Sequence, residues 1–162
     1  MKTDSEILIG QIESAFSSVV LGDGIGLFQA EALDDYGNAE EVSSARIKDR
    51  ELWKRWQEIP ENAIVRGYTA LCFADPEGMR FLLPAFMIFA VNNFKTSDAA
   101  AIDSVVYALD REPVELVGQL SQEQISTVIA FLKFMVLSAG ENWVEAEVAI
   151  RAYENHWSKL ER

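Results

Sequence analysis

The chain has 162 residues but only one cysteine, Cys72, and one histidine, His156. A single cysteine excludes a disulfide within the chain and is typical of a reducing compartment. A single histidine excludes a His pair for zinc, and the di-iron signature Glu-x-x-His is missing because Tyr153 stands three residues before it. Any Ser-His-Asp or Cys-His arrangement would have to use His156. We expect instead a surface or helix-end histidine and a cysteine that is a small core group.

Long hydrophobic runs are missing as well. The longest uncharged apolar stretch, residues 81–91, has 11 residues, whereas a helix needs about 20 to cross a bilayer. The opening segment, MKTDSEILIGQIESAF, is acidic and interrupted by polar residues, so it is unlike a secretory signal peptide. The sequence therefore predicts a cytoplasmic protein with no membrane segment.

Basic residues are scarce: 14 lysines and arginines stand against 26 aspartates and glutamates, which gives a net charge of −12. Such a field repels nucleic-acid phosphates and anionic lipid and favours cationic partners. The charge is also uneven, because residues 1–41 hold nine acids and one base, and residues 46–55 hold five bases and two acids. Two interpretations stay open: these segments neutralise each other in the fold, or the acidic segment forms a surface for a basic partner.

What the sequence does have is helical periodicity. With 49% hydrophobic and 25% charged residues, it predicts one globular domain over residues 1–162. The clearest signal is a capping box formed by Ser121 and Gln124, with Leu120 and Ile125 as its hydrophobic staple. Residues 110–118, DREPVELVG, are predicted to be a loop. Helices are predicted over residues 4–20, 27–36, 39–57, 84–94, 97–109, 121–138 and 141–161.

The most apolar stretch is FADPEGMRFLLPAFMIF, residues 73–89. Residues 71–74 and 79–83 have strand-like composition, and DPEG between them has turn chemistry. We therefore predict a buried β-hairpin with Arg80 on its solvent-facing or pairing side, and a buried helix that starts at Pro84. The predicted fold class is mostly α with a small β-hairpin (α+β), in which six to seven helices surround one antiparallel hairpin at about 69–83.

Candidate binding residues are few. The most distinctive polar cluster is formed by three consecutive residues, Asp34, Asp35 and Tyr36, at the end of a short predicted helix. The basic segment 46–55 contains Trp53 and is followed directly by Trp56, and the apolar stretch carries Arg80 in its middle. The candidate binding residues are therefore Asp34, Asp35, Tyr36, Trp53, Trp56 and Arg80. Nothing in the pattern singles out a catalytic residue, a metal ligand or a cofactor.

Two patterns imitate known sites. Glu31 with Asp35, and Glu141 with Glu145, are spaced to face one side of a helix as hard-metal ligands, but helical acids at this spacing are usually solvated. GDGIG, residues 22–26, is similar to a phosphate-binding loop. It follows a helix rather than a strand, lacks a following lysine and carries Asp23, which would repel phosphate. We expect neither a metal nor a nucleotide.

Residues 71–86 fit the motif L-x-F-x-D-P-E-G-x-R-F-x-L-P-A-F. Together with LDDYG (33–37), WQEIP (56–60) and LSQEQISTVIAFLKFM (120–135), this stretch resembles an uncharacterised family of small bacterial proteins, a domain of unknown function. The resemblance extends over roughly residues 28–137. It implies a soluble, single-domain bacterial protein and carries over no activity, substrate or catalytic residue.

Two functions of different class follow from these observations. The one we expect is a non-catalytic interaction protein, of the adaptor or immunity kind, whose acidic surface binds a protein partner of basic character. The alternative is a small carboxylate-based enzyme or small-ligand binder, with Asp34, Asp35, Tyr36 or Arg80 near a pocket. A homodimer is a further expectation, because apolar residues cover much of the 121–138 helix and four tryptophans need cover.

Overall fold

A computed structural model describes residues 1–139 and 145–162 of the chain. Over these residues the protein is all helical, and no strand is present. Two 3₁₀ helices, Trp56–Glu58 and Trp157–Leu160, supplement ten α-helices. The α-helices are α1 (Asp4–Ala15), α2 (Leu27–Asp34), α3 (Ala39–Leu52), α4 (Glu61–Arg66), α5 (Ala70–Phe73), α6 (Pro76–Asn93), α7 (Ala100–Asp110), α8 (Val114–Gln119), α9 (Gln122–Ala139) and α10 (Ala146–Asn155).

The predicted β-hairpin at 69–83, and with it the α+β fold class, is wrong. The segment instead forms α5 and the first half of α6. Asp75 is the N-cap of α6 and accepts a hydrogen bond from the Gly78 N–H at 2.9 Å, while Pro76 occupies the first helical position. The same Asp-Pro pair that is typical of a turn therefore starts a helix here. Pro84 lies inside α6, fully surrounded by protein, rather than at its beginning.

Other helix ends show which local signals were read correctly. The Ser121–Gln124 capping box is confirmed, since the Ser121 N–H donates to Gln124 Oε1 and the Gln124 N–H donates to Ser121 Oγ. The predicted loop 110–118 is wrong in part, because it contains α8. The helices predicted over 4–20 and 39–57 end earlier, at Ala15 and Leu52. The junction between the helices predicted over 121–138 and 141–161 falls outside the described residues.

The core is built around α6. This helix is buried along most of its length and packs against α1, α4, α5, α7 and α8, whereas α9 packs against α1 and α10. We expected a homodimer because the 121–138 helix is apolar over much of its surface. In this helix Phe131 and Phe134 are buried within the chain, while Leu137 is exposed. No helix in the described part of the chain is long and apolar enough to span a membrane.

Buried side chains close the ends of two helices. At the end of α1, the Trp56 indole N–H donates to the Phe16 carbonyl at 2.8 Å, and the Gln124 amide donates to the Ala15 carbonyl at 3.0 Å. At the end of α7, the Trp157 indole N–H donates to the Leu109 carbonyl at 2.9 Å. These bonds satisfy carbonyls that a helix leaves free at its C-terminus.

Candidate functional site

The candidate site is the turn between α2 and α3, residues 34–41, which we call the α2–α3 corner. Asp34 ends α2, and Asn38 caps α3 by accepting a hydrogen bond from the Glu41 N–H at 2.9 Å. Asp35 and Tyr36 lie between these two helix ends. The corner therefore holds the whole polar cluster that the sequence singled out.

Tyr36 has an unusual backbone conformation. Its φ of 56° makes it the one non-glycine residue with positive φ in the described part of the chain. The Gly37 N–H donates to the Ala32 carbonyl at 2.8 Å, which is the long hydrogen bond of a Schellman motif, and Tyr36 occupies the left-handed position that glycine usually fills. A tyrosine there is disfavoured by about 1–2 kcal/mol relative to the right-handed conformation.

No contact of the Tyr36 side chain within the described residues compensates for the strain of its backbone. It is 96% exposed, and no hydrogen bond or ring contact joins it to another described residue. Strained residues of this kind are found preferentially where a side chain must be presented for function.

Acidic residues precede and follow Tyr36 in the sequence. Residues 31–41 contain five acids and no base. Asp35, Glu40 and Glu41 are exposed, whereas Asp34 is half-buried and accepts a hydrogen bond from the Thr69 hydroxyl at 2.7 Å. Thr69 therefore ties the corner to the beginning of α5.

A buried carboxylate, Asp49 of α3, fixes the other end of α2. It is fully buried and accepts hydrogen bonds from the N–H groups of Phe28 and Gln29, at 2.9 and 3.0 Å, and from the Trp53 indole at 3.2 Å. The negative charge thus lies at the N-terminus of α2, where it is favoured. Burial nevertheless raises the pKa of Asp49, while its three hydrogen bonds act in the opposite direction.

Glu31 is a second perturbed carboxylate on α2. It is half-buried, and its Oε1 atom is enclosed by protein with no hydrogen-bond partner in the described residues. Burial raises the pKa of Glu31, Arg66 lowers it, and the charges of Asp35 and Asp49 raise it further. Glu31 and Asp35 do not join a third acid, histidine or cysteine in a metal-binding cluster among residues 1–139 and 145–162; Glu141 lies outside this part.

Trp53 and Trp56, which we predicted as binding residues, lie inside the protein rather than on its surface. Trp53 is 8% exposed and stacks on Phe28, with ring centroids 5.2 Å apart, and the Lys48 ammonium lies 4.0 Å from the centre of the Phe28 ring. Trp56 is 3% exposed. Their indole N–H groups bond within the chain, Trp53 to Asp49 near the N-terminus of α2 and Trp56 to the Phe16 carbonyl at the end of α1, so neither residue presents a surface.

Arg80 lies on α6, half-buried, and its Nε atom is enclosed without a hydrogen-bond partner in the described residues. No hydrogen bond or ion pair joins it to Asp34 or Asp35. The structure therefore brings Asp34, Asp35 and Tyr36 together. It leaves Trp53 at the other end of α2, Trp56 at the end of α1 and Arg80 on α6.

The glycine-rich loop GDGIG packs against protein groups on both sides. Arg50 donates from Nη2 to the carbonyls of Gly22 and Gly24, both at 2.8 Å, and Arg46 donates to the Asp23 carbonyl at 3.1 Å. Asp75 accepts a hydrogen bond from the Ile25 N–H at 2.8 Å. The loop thus joins α3 to the beginning of α6, in a structural role.

These loop contacts join the acidic and basic segments through Arg46 and Asp23. Besides its bond to the loop, Arg46 forms an ion pair with Asp23 at 3.6 Å. Arg46 and Asp23 therefore neutralise each other, while residues 31–41 keep five acids and no base.

Sequence reasoning missed Asp49, Arg50, Thr69 and Asp75 as the residues that position the corner. In the sequence, Asp49 lies at helical spacing from the apolar residues Ala45, Leu52 and Trp53, which is a detectable signal of a buried carboxylate with backbone partners. Arg50, Thr69 and Asp75 act across the chain at separations of 26 to 50 residues, and nothing local in the sequence marks them.

The single histidine and cysteine lie apart from the corner. His156 follows α10, as expected, and its Nε2 lies 2.9 Å from the Asp110 carbonyl at the end of α7. Cys72 is exposed on α5, so its predicted place in the core is wrong. We compared the predicted binding residues with four surface cavities. One lies between α1 and α9, and the other three lie beside Phe89, Leu116 and His156. Of the six predicted binding residues, only Trp56 lines one of these four cavities.

The fold and the corner define an all-helical protein that presents a strained tyrosine in an acidic turn. Residues 3–161 match the family described as "Family of unknown function (DUF6714)", and the chain belongs to that family. Its function is thus uncharacterised at the level of the family. No curated protein and no solved structure matches the chain.

Proposed function

We propose that the protein is a non-catalytic interaction protein, of the adaptor or immunity kind, that binds a basic protein partner through the α2–α3 corner. The observation that carries the proposal is Tyr36, which is almost fully exposed in a backbone conformation that favours glycine. Tyrosine is enriched among the residues that dominate binding energy at protein interfaces. An exposed, strained tyrosine is therefore better explained by an intermolecular contact than by the stability of the chain.

The charge around Tyr36 supports a basic partner. Five acids and no base in residues 31–41 create a local negative field, and the exposed members Asp35, Glu40 and Glu41 lie on both sides of Tyr36 in the sequence. Charges of this kind mainly raise the association rate and select the partner, while a central aromatic side chain supplies affinity. The alternative, a carboxylate enzyme or small-ligand binder, needs a concave site, and Asp34, Asp35 and Tyr36 line none of the four cavities named above.

The test is affinity capture from an extract of the native host with tagged wild-type protein and two variants. Tyr36→Ala removes the ring but keeps a non-glycine residue in the same backbone conformation. Tyr68→Ala is the matched control, since Tyr68 is also exposed, at 46%, and lies between α4 and α5, outside the corner. Capture is repeated at low and at moderate salt, and bound proteins are identified by mass.

We expect a stoichiometric partner that is lost with Tyr36→Ala, kept with Tyr68→Ala, and released as salt rises. Truncation of a central interface tyrosine weakens binding by about 30-fold or more. A partner that binds Tyr36→Ala as well as the wild type would contradict the proposed surface, and binding insensitive to salt would contradict the role of the acids. A self-associated chain as the main captured species would instead favour the homodimer.

A further inference from the structure

A cavity lined by residues of α8 and of the C-terminal segment has the features of a small-molecule site. It lies between the N-terminal part of α8 and the end of α10, and its volume is about 510 Å³. Small-molecule sites in proteins typically have volumes of about 300–1,000 Å³, an apolar lining and a few polar groups that fix orientation.

The cavity has an apolar floor. Pro113, Val114, Val117 and Leu160 line it, and Val114 is 69% exposed. An apolar group of a ligand that covered Val114 would remove apolar surface from water, which favours binding. The floor therefore favours a ligand with an aliphatic part.

Two opposite charges line the same cavity without pairing. Glu112 and Lys159 both contribute to its wall, yet neither forms an ion pair with the other or with any other described residue. Asn155 and His156 add two further polar groups to the wall.

The neighbouring charges are already paired within the chain. Asp110 accepts two hydrogen bonds from Arg151, and Glu161 pairs with Lys133 and with the Tyr153 hydroxyl. These pairs leave Glu112 and Lys159 as the lining charges free to meet a ligand. Glu115 and Glu154 are nearby in sequence and exposed, but they do not line this cavity.

The geometry points to a small zwitterion with an apolar side chain, that is, an amino acid or a short peptide, as the ligand of this cavity. Glu112 meets its ammonium group, and Lys159 with Asn155 meets its carboxylate. Val114, Val117 and Leu160 cover its side chain. This site is independent of the α2–α3 corner and of the interaction that we propose there.

His156 provides a direct reporter of this site. It is the only histidine in the chain, so its imidazole gives one set of ring signals in a proton–nitrogen or proton–carbon NMR spectrum. Its ring is held in place because Nε2 donates to the Asp110 carbonyl, which can only accept. A ligand in the cavity must therefore shift these signals without a change of fold.

The experiment titrates the full chain with leucine, leucyl-leucine, 4-methylpentanoate and isopentylamine, and follows the His156 signals. The last two probes each keep the apolar part of leucine but lack one of its charges. We expect saturable shifts with leucine or leucyl-leucine, and weaker binding of both single-charge probes. The stronger of leucine and leucyl-leucine identifies the free amino acid or the short peptide as the source of the ligand.

Two charge variants complete the test. Lys159→Gln and Glu112→Gln remove exposed charges and should each weaken binding by about two- to fivefold, as expected for one exposed ion pair. Lys54→Gln, an exposed lysine just after α3, is the control and should leave binding unchanged. The proposal is overturned if no zwitterion shifts the His156 signals saturably, if a single-charge probe binds as tightly, or if neither cavity variant weakens binding.

Discussion

The Asp75 carboxylate accepts a hydrogen bond from the backbone N–H of Ile25 at 2.8 Å, across 50 residues of sequence. The same Oδ1 atom accepts the Gly78 N–H that caps α6. One carboxylate oxygen therefore starts the central helix and anchors the glycine-rich loop that leads into α2. The position of the α2–α3 corner depends on these two hydrogen bonds.

The close approach of the Ile25 backbone to α6 leaves no room for a side chain at position 78. A Cβ atom on Gly78 would overlap the carbonyl oxygen of Ile25, so Gly78→Ala must displace the loop. We expect a loss of about 1–3 kcal/mol in the free energy of unfolding, measured by urea denaturation, as for other overpacked sites.

The matched control for this variant is Gly118→Ala in α8, where a Cβ atom would meet nothing within 4 Å. Alanine is the better helix former by up to about 1 kcal/mol, so this variant should be neutral or more stable. Equal losses for both variants would mean that the close approach of the loop to α6 is not what position 78 requires.

At Tyr36 we predict a substitution that increases the stability of the fold. Tyr36→Gly relieves the left-handed backbone and removes a side chain without internal contacts, so the free energy of unfolding should rise. The expected gain is about 0.5–1 kcal/mol, because the greater freedom of glycine in the unfolded chain offsets part of the relief. Thermal denaturation compared with Tyr36→Ala, which keeps the strain, measures the backbone effect alone. A less stable glycine variant would show that the tyrosine ring contributes to the fold.

Asp49 predicts a pH dependence whose sign can be worked out. Burial raises its pKa in the folded state above the ordinary 3.8, so the folded protein binds this proton more tightly than the unfolded chain does. The contribution of Asp49 to stability is then largest below the unfolded pKa, and it falls as pH rises from about 3.8 through the folded pKa.

Asp49→Asn isolates this contribution, because asparagine does not titrate. Asparagine keeps one acceptor oxygen but turns an N–H donor towards a backbone N–H, so the variant should be less stable by about 1–3 kcal/mol. The stability difference between wild type and variant should shrink between about pH 4 and pH 7 in urea denaturation. A difference that grows over this range would mean that the hydrogen bonds at the start of α2 outweigh burial.

Local sequence signals predicted what local interactions decide. Ser121 and Gln124 lie within one helical turn, and their reciprocal capping bonds were predicted from the sequence and are confirmed. The short helix predicted over 27–36 is also present, as α2, although it ends at Asp34. Asp34, Asp35 and Tyr36 lie together because they are consecutive, and their role in binding stays a prediction.

The errors arose where short segments allow two structures. An apolar run of a few residues on either side of DPEG fits a buried strand or a buried helix equally well, and periodicity alone does not separate them. Packing of Gly78 against Ile25, which the sequence does not reveal, favours the helix. Trp53 and Trp56 were proposed as binding residues from their side-chain type, but their indole N–H groups find partners 4 and 40 residues away, inside the protein.

The bond from Gln124 to the Ala15 carbonyl spans 109 residues and joins the beginning of α9 to the end of α1. The N-terminal segment leaves the ribosome first, so the bond at the end of α1 cannot form until Gln124 has been synthesised. The apolar side of α1, with Leu8, Ile12 and Phe16, is without its α9 cover during that interval. Nascent chains that stop before α9 therefore expose an apolar surface to chaperones and proteases.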